Sequence, residues 1–311
     1  MPWHAASLTV ASMADQPCGF LVLDKPAGLS SHACVSRVRR AYGLRRVGHG
    51  GTLDPAVTGV LPIAIGTATR LLPYLPGDKA YHGVVQLGIT TSSDDLEGEV
   101  LSRQAVPSLD RAELEATLAP FRGRIQQVPP QVSAVHVNGE RAYTRARRGE
   151  ELALAPRPVT IHSLELLGWD PAASQLTLTL RCSAGTYVRS LARDLGAALG
   201  CGGALARLRR TAALGFSLEG AVALASLDAS PPPVPLDPLQ PLAALNRYRL
   251  TDAELVGWRY GRGPALPRDL RHLDAGVPVV VLTPDGSLAG MAHAAPPDGQ
   301  LQPRLVFDAA G

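Results

Sequence analysis

The stretch GHGGTLDPAVTGVLPIAIG, residues 48–66, frames one carboxylate, Asp54, between three glycines and a proline. Gly48, Gly50 and Gly51 make a loop that can approach a ligand closely, and Pro55 drives Asp54 into an extended conformation. The following GVLPIAIG reads as a buried strand. Spacing alone leaves two readings of Asp54 open, a turn aspartate and a presented catalytic group. Two other chemistries are disfavoured. GHGG as the backbone-donor loop of an esterase needs a GxSxG nucleophile elbow, and the chain has none. A dinucleotide fingerprint needs a third glycine at a spacing this loop lacks.

Outward from the loop, 311 residues with 46% hydrophobic content describe a globular chain, long enough for a large core and a smaller second domain. A formal charge of +3 permits a polyanionic partner without demanding one. Arginine supplies nearly all the positive charge; Lys25 and Lys79 are the only lysines. Positions that keep a compact ammonium in such a chain call for one. Cys18, Cys34, Cys182 and Cys201 form neither a CxxC pair nor a His/Cys cluster, which points to reduced thiols in cytoplasm and to no zinc site. The first residues lack a basic segment followed by an apolar one, and no run of eighteen apolar residues occurs, so no membrane partner is expected. Residues 1–16 read as a disordered or misassigned extension, with Met13 the more ordinary start.

Strands and helices alternate without an internal repeat. GFLVLDKP is a short buried strand. SSHACVSRVRRAYG is a helix capped by Ser30 or Ser31, with Val35, Val38 and Tyr42 inward, Arg37, Arg39 and Arg40 outward, and Gly43 at its end. KAYHGVVQLG and the strictly alternating QLTLTLRC are strands. DRAELEATLAPFRG is a helix with a capping box at Asp110 and Glu113. Asn138-Gly139 signals a hairpin, and Val188, Leu191, Ala192, Leu195 and Leu199 share one helical face. The fold class is α+β with a mixed, largely antiparallel sheet flanked by helices. Proline density over 229–246 marks a linker, and 247–311 reads as a small β-rich domain with a turn at Pro284-Asp285-Gly286.

LDKPAGLSSH, GHGGTLDPAVTGVLPIAIGTATR, DKAYHGVVQLG, RCSAGTYVRSLARDLG and LARLRRTAAL, in that order, resemble the tRNA pseudouridine synthase B family, bacterial branch. The resemblance spans about Gly19 to Leu227, implying a catalytic domain over 17–228 and a PUA-like RNA-binding tail. It implies an isomerase that converts uridine 55 in the TΨC loop of tRNA to pseudouridine; the rival readings are a guide-RNA-dependent synthase of the archaeal and eukaryotic type and a non-catalytic tRNA-binding or tRNA-folding protein. No cofactor, metal or obligatory protein partner is implied, and a monomer is expected. Asp54 matches the catalytic aspartate, whose carboxylate attacks the substrate or stabilises developing charge. Tyr81 matches a tyrosine that stacks on the target uracil and takes part in proton removal at C5. Arg189 matches the arginine that orients the aspartate; without the motif it reads as an exposed helix residue. His49 matches a residue that helps extrude the uridine, Leu208 an apolar lining of the uracil pocket, and Lys25 an active-site loop position. The family commonly has threonine or alanine at Gly50, and tyrosine and lysine at Val132 and His136. A basic helix over RAYTRARRGE would place Arg141, Arg145 and Arg148 on one face, as a track for RNA phosphates or as a solvated face.

Overall fold

The computed structural model describes residues 17–307 except 134, 138, 139, 142–144, 146, 147, 149 and 151, together with the side chains of 136, 137, 141 and 297. The reading of residues 1–16 falls outside the described residues.

The main sheet draws on β1 (Gly19–Lys25), β2 (Val47–His49), β3 (Thr58–Ile65) and β4 (Lys79–Leu87), then β7 (Gly123–Gln127), β10 (Arg157–Asp170), β11 (Gln175–Cys182), β12 (Gly203–Ala213), β13 (Phe216–Ser217) and β14 (Val222–Ala223). Its order is β14-β1-β3-β12-β4-β11-β10-β7, with β2 added to β3 and β13 to β12. Only the β1/β14 and β3/β12 pairs are parallel. The other ladders are antiparallel, as the alternating strands anticipate. Smaller pairs are β5 (Ile89–Thr91) with β6 (Val100–Arg103), and β8 (His136–Val137) with β9 (Glu140–Arg141).

Helix α1 (Ser31–Tyr42) starts where Ser30 accepts from the Ala33 N–H and stops at Gly43, whose φ of 66° is the left-handed cap. Val35 and Val38 turn inward, while Arg39 is half-buried and donates to the Val47 carbonyl at 3.0 Å. Helix α2 (Arg111–Leu118) carries the Asp110–Glu113 capping box. Helix α3 (Val188–Ala198) buries Val188, Leu191, Ala192 and Leu195 against the β4/β11 side of the sheet. A second apolar layer packs α1 on β1 and β3. The two layers meet at Leu208 of β12, the central strand.

A continuous helix from Arg141 onward is not what forms. The β8–β9 hairpin carries the backbone through Arg141, so Arg141 pairs with His136 in a strand.

The tail forms a four-stranded sheet of β15 (Asn246–Arg249), β16 (Pro278–Leu282), β17 (Leu288–Ala295) and β18 (Gln300–Val306), with helix α4 (Asp252–Arg259) beside it. Its own core surrounds Trp258, whose indole N–H donates to the Ala289 carbonyl at 2.9 Å. Val280, Leu282, Met291 and Leu305 share a cluster with Phe20, Val22, Val60 and Leu71 of the main body. The proline-rich stretch is pinned along β1, where Phe20 and Leu236 exchange backbone hydrogen bonds of 3.0 and 2.7 Å. The tail therefore rests on the back of the sheet through shared apolar contacts.

Candidate active site

The glycine-rich loop between β2 and β3 is fastened from every side. Ser31, the first residue of α1, accepts from the Leu53 N–H at 2.8 Å and donates to its carbonyl at 3.0 Å. The Gly28 N–H donates to the Pro55 carbonyl at 2.9 Å, and the Gly50 N–H to the Pro62 carbonyl at 2.8 Å. Gly51 adopts a φ of 113°, which only glycine takes without strain. A hydrogen bond of 3.1 Å from the Val57 N–H to the Asp54 carbonyl closes a turn after the carboxylate. The turn reading of Asp54 is thus correct for its backbone, and its side chain remains free to act.

That side chain is 48% exposed and lines a groove of about 1580 Å³. Its Oδ2 lies 3.1 Å from Arg189 of α3, whose own side chain is 11% exposed. The guanidinium also donates to the Ser93 carbonyl at 3.1 Å and the Val132 carbonyl at 3.0 Å, and approaches Asp95 at 3.6 Å. Four fixed partners leave it one orientation, and a planar fork is the group that can meet them together. The exposed-helix reading of Arg189 is therefore wrong. Because Val132 contributes its carbonyl, the valine side chain does not affect this contact.

Tyr81 and Leu208 line the same groove on the adjacent strands β4 and β12, and His49 lines it from β2. Burial pushes the Tyr81 phenol up to about 12, opposed in part by the Arg210 guanidinium. Burial, then Arg210 and His32, hold the His49 imidazole below its usual range, and its Nδ1 is buried without a partner among the described residues. Lys25 is placed differently from the others. Fully buried and outside the groove lining, it donates to the carbonyls of Pro26 at 2.8 Å and Pro55 at 3.1 Å. It stitches the loop that carries Asp54 from below, while burial draws its pKa down. Lys79 lines the groove, and burial followed by Arg210 lowers its pKa.

Gly50 makes room for Leu214. A Cβ there would lie 2.0 Å from the Leu214 Cδ1, so this departure from the family pattern is a matter of packing rather than chemistry. Arg145 pairs with Glu150 at 2.6 Å, and Arg148 with Glu140 at 2.7 Å and Glu150 at 2.9 Å. The side chain of Arg141 lies outside the described residues. Sequence reasoning missed Asp95 and Arg210: Asp95 sits in an unpatterned acidic loop, and Arg210 in a run of arginines. Among the described residues no group of three or more His, Cys, Asp or Glu side chains could hold a metal ion.

The groove thus gathers a carboxylate, a buried arginine, an aromatic ring and an apolar side chain on one mixed sheet, and comparison with known proteins assigns the chain to the pseudouridine synthases. A family model described as TruB family pseudouridylate synthase (N terminal domain) matches residues 39–188, and one for the tRNA pseudouridylate synthase B C-terminal domain matches 189–231. The chain is 65% identical over 297 residues to tRNA pseudouridine synthase B of Parasynechococcus marenigrum (strain WH8102), covering 96% of this chain and 100% of the relative. It is 42% identical over 314 residues to that of Prochlorococcus marinus (strain NATL1A), covering 96% and 100%. This chain belongs to the TruB family of pseudouridylate synthases. Its fold also resembles a Cbf5–Nop10–Gar1 complex, with a TM-score of 0.71 and 23% identity over 95% of this chain and 86% of that one. An H/ACA ribonucleoprotein bound to a substrate RNA containing 2'-deoxyuridine gives 0.69 and 22% over 93% and 84%.

Proposed function

We propose that this enzyme isomerises uridine 55 in the T arm of tRNA to pseudouridine, with Asp54 as its catalytic carboxylate. The observation that carries the reading is the 3.1 Å Asp54–Arg189 pair in a groove that Tyr81 and Leu208 also line. A tRNA substrate is supported by relatives of 42–65% identity that bear the name tRNA pseudouridine synthase B.

In the reaction the N1–C1′ bond breaks, the base turns, and C5 bonds to C1′; C5 then loses its proton and N1 gains one. Arg189, 3.1 Å from its Oδ2, aims the Asp54 carboxylate at C1′, where charge develops. His49 and Leu208 hold the extruded base away from its stack. Tyr81 stacks on the ring. Burial favours its neutral phenol, which suits a stacking role.

The four-stranded tail acts as a PUA-like module that adds RNA surface, and Arg141, Arg145 and Arg148 meet phosphates that compete with Glu140 and Glu150. The enzyme works in cytoplasm as a monomer, without cofactor or protein partner. The test is incubation with an unmodified tRNA transcript, followed by single-nucleotide mapping. One modified site at position 55 is expected; no pseudouridine, or modification elsewhere, overturns the reading.

A further inference from the structure

Arg210 is 0% exposed and has no carboxylate partner among the described residues. A buried cation without an acid is costly unless its donors are satisfied. Here carbonyls satisfy them: Nε donates to the Val60 carbonyl at 2.7 Å, and the two terminal nitrogens donate to the Gly51 carbonyl at 3.0 Å and the Thr52 carbonyl at 3.4 Å. The Tyr81 ring lies beside it on the next strand, near enough for the guanidinium to oppose part of the rise that burial imposes on the phenol.

The sheet dictates this convergence. Arg210 faces Tyr81 directly across the β12/β4 ladder, and faces Gly59 across β12/β3. Gly59, at a φ of 103°, lets the strands close so far that a Cβ there would fall 2.1 Å from the Arg210 carbonyl. The backbone of Arg210 is thereby fixed. Its side chain passes beneath the loop, where a Cβ on Gly51 would lie 3.5 Å from the guanidinium. One group thus bonds the strand after the loop and the loop two residues before Asp54, and lies beside the ring expected to stack on the base, without itself lining the groove.

We infer that Arg210 is a positioning residue for the isomerisation, an inference that rests on the reading above: it joins the Asp54 loop and the Tyr81 ring into one rigid wall. Its substitution moves the carboxylate and the stacking surface relative to each other and leaves the RNA-binding face in place.

The experiment compares wild type, Arg210→Lys and Arg210→Gln, with and without Tyr81→Phe. Single-turnover pseudouridine formation at saturating tRNA transcript, filter binding of that transcript, and amide exchange across 51–57 are measured. Arg210→Lys is expected to lower the rate roughly thirtyfold with Kd within about threefold, and Arg210→Gln to lower it further. In the Tyr81→Phe background the same change should cost roughly fivefold less, because the phenol beside the guanidinium is already gone. Exchange across 51–57 should quicken in both variants. A folded variant that keeps the wild-type rate, loses affinity alone, or leaves exchange across 51–57 unchanged overturns the inference. So does failure of both variants to fold, which would make Arg210 a structural cation. If wild type forms no pseudouridine, the proposed function falls, and the exchange data still decide whether Arg210 holds the loop.

Discussion

Replacing Arg189 by lysine keeps the positive charge and removes the geometry. The guanidinium spends its donors on Asp54, Asp95 and the carbonyls of Ser93 and Val132, at 3.1, 3.6, 3.1 and 3.0 Å. An ammonium has three donors on a single nitrogen and cannot reach partners spread across a planar fork. At least two contacts are lost, each a charge-assisted bond of about 1.5–3 kcal/mol, of which water and residual attraction restore a part. A net loss of about 2–4 kcal/mol in holding the carboxylate corresponds to a rate roughly 30- to 1000-fold lower. The tRNA-facing surface is untouched, so Kd should stay within about threefold. Single-turnover formation of pseudouridine at saturating transcript, measured beside filter binding, gives both quantities. A folded Arg189→Lys protein with turnover within about threefold of wild type would refute the claim that orientation, rather than charge, is what Arg189 supplies.

The His49 imidazole titrates below its usual range because of burial, Arg210 and His32, so on acidification the folded chain takes up this proton later than the unfolded one does. Below about pH 6.5 the unfolded state binds more protons there, and stability falls as pH falls. The stability advantage of wild type over His49→Gln, from urea midpoints, should therefore shrink between pH 7.5 and 5.5; a constant difference contradicts the placement of His49. Leu305 lies in the cluster shared by the tail and the main body. Leu305→Ala should cost about 2–4 kcal/mol of unfolding free energy while the saturated single-turnover rate stays within about threefold. Two separate thermal transitions in wild type, with only the lesser one moved by the substitution, would show that the tail does not lean on the sheet.

The loop that presents Asp54 was legible because its chemistry is local. Three glycines, a proline and a following apolar strand dictate a tight, exposed turn wherever they occur. Both caps of α1 and the capping box of α2 were legible for the same reason, since each is satisfied within a few residues of sequence. The central strand was hidden by its own irregularity. Register shifts at Leu205/Arg207 and Arg210/Ala212 break the two-residue alternation in β12, so nothing in LARLRRTAA distinguishes the buried Arg210 from the half-buried Arg209. The long strand β10 is likewise bulged at two places. Asp95 could not be found from spacing, because its partner Arg189 is 94 residues away and only the packing of α3 brings them together. Lys25 was seen as unusual, yet whether its ammonium points into the groove or under the loop depends on contacts that sequence does not carry. Arg145 and Arg148 were legible as a basic pair, but not their ion pairs with Glu140 and Glu150, because spacing along a chain does not say which carboxylates fold back onto it.

The central claim is that Asp54 is the catalytic carboxylate, and Asp54→Asn tests it most directly. Asparagine keeps the turn and its Val57 hydrogen bond to the Asp54 carbonyl, and removes only the charge and the nucleophilic oxygen. Arg189 retains Asp95 and two carbonyls, so the groove should hold its shape. The measurement is single-turnover pseudouridine formation beside tRNA binding, in protein shown by mass to be free of deamidation. The account predicts no detectable product with affinity within about tenfold of wild type, a change of roughly 1.4 kcal/mol or less. Measurable turnover by the asparagine variant would contradict it.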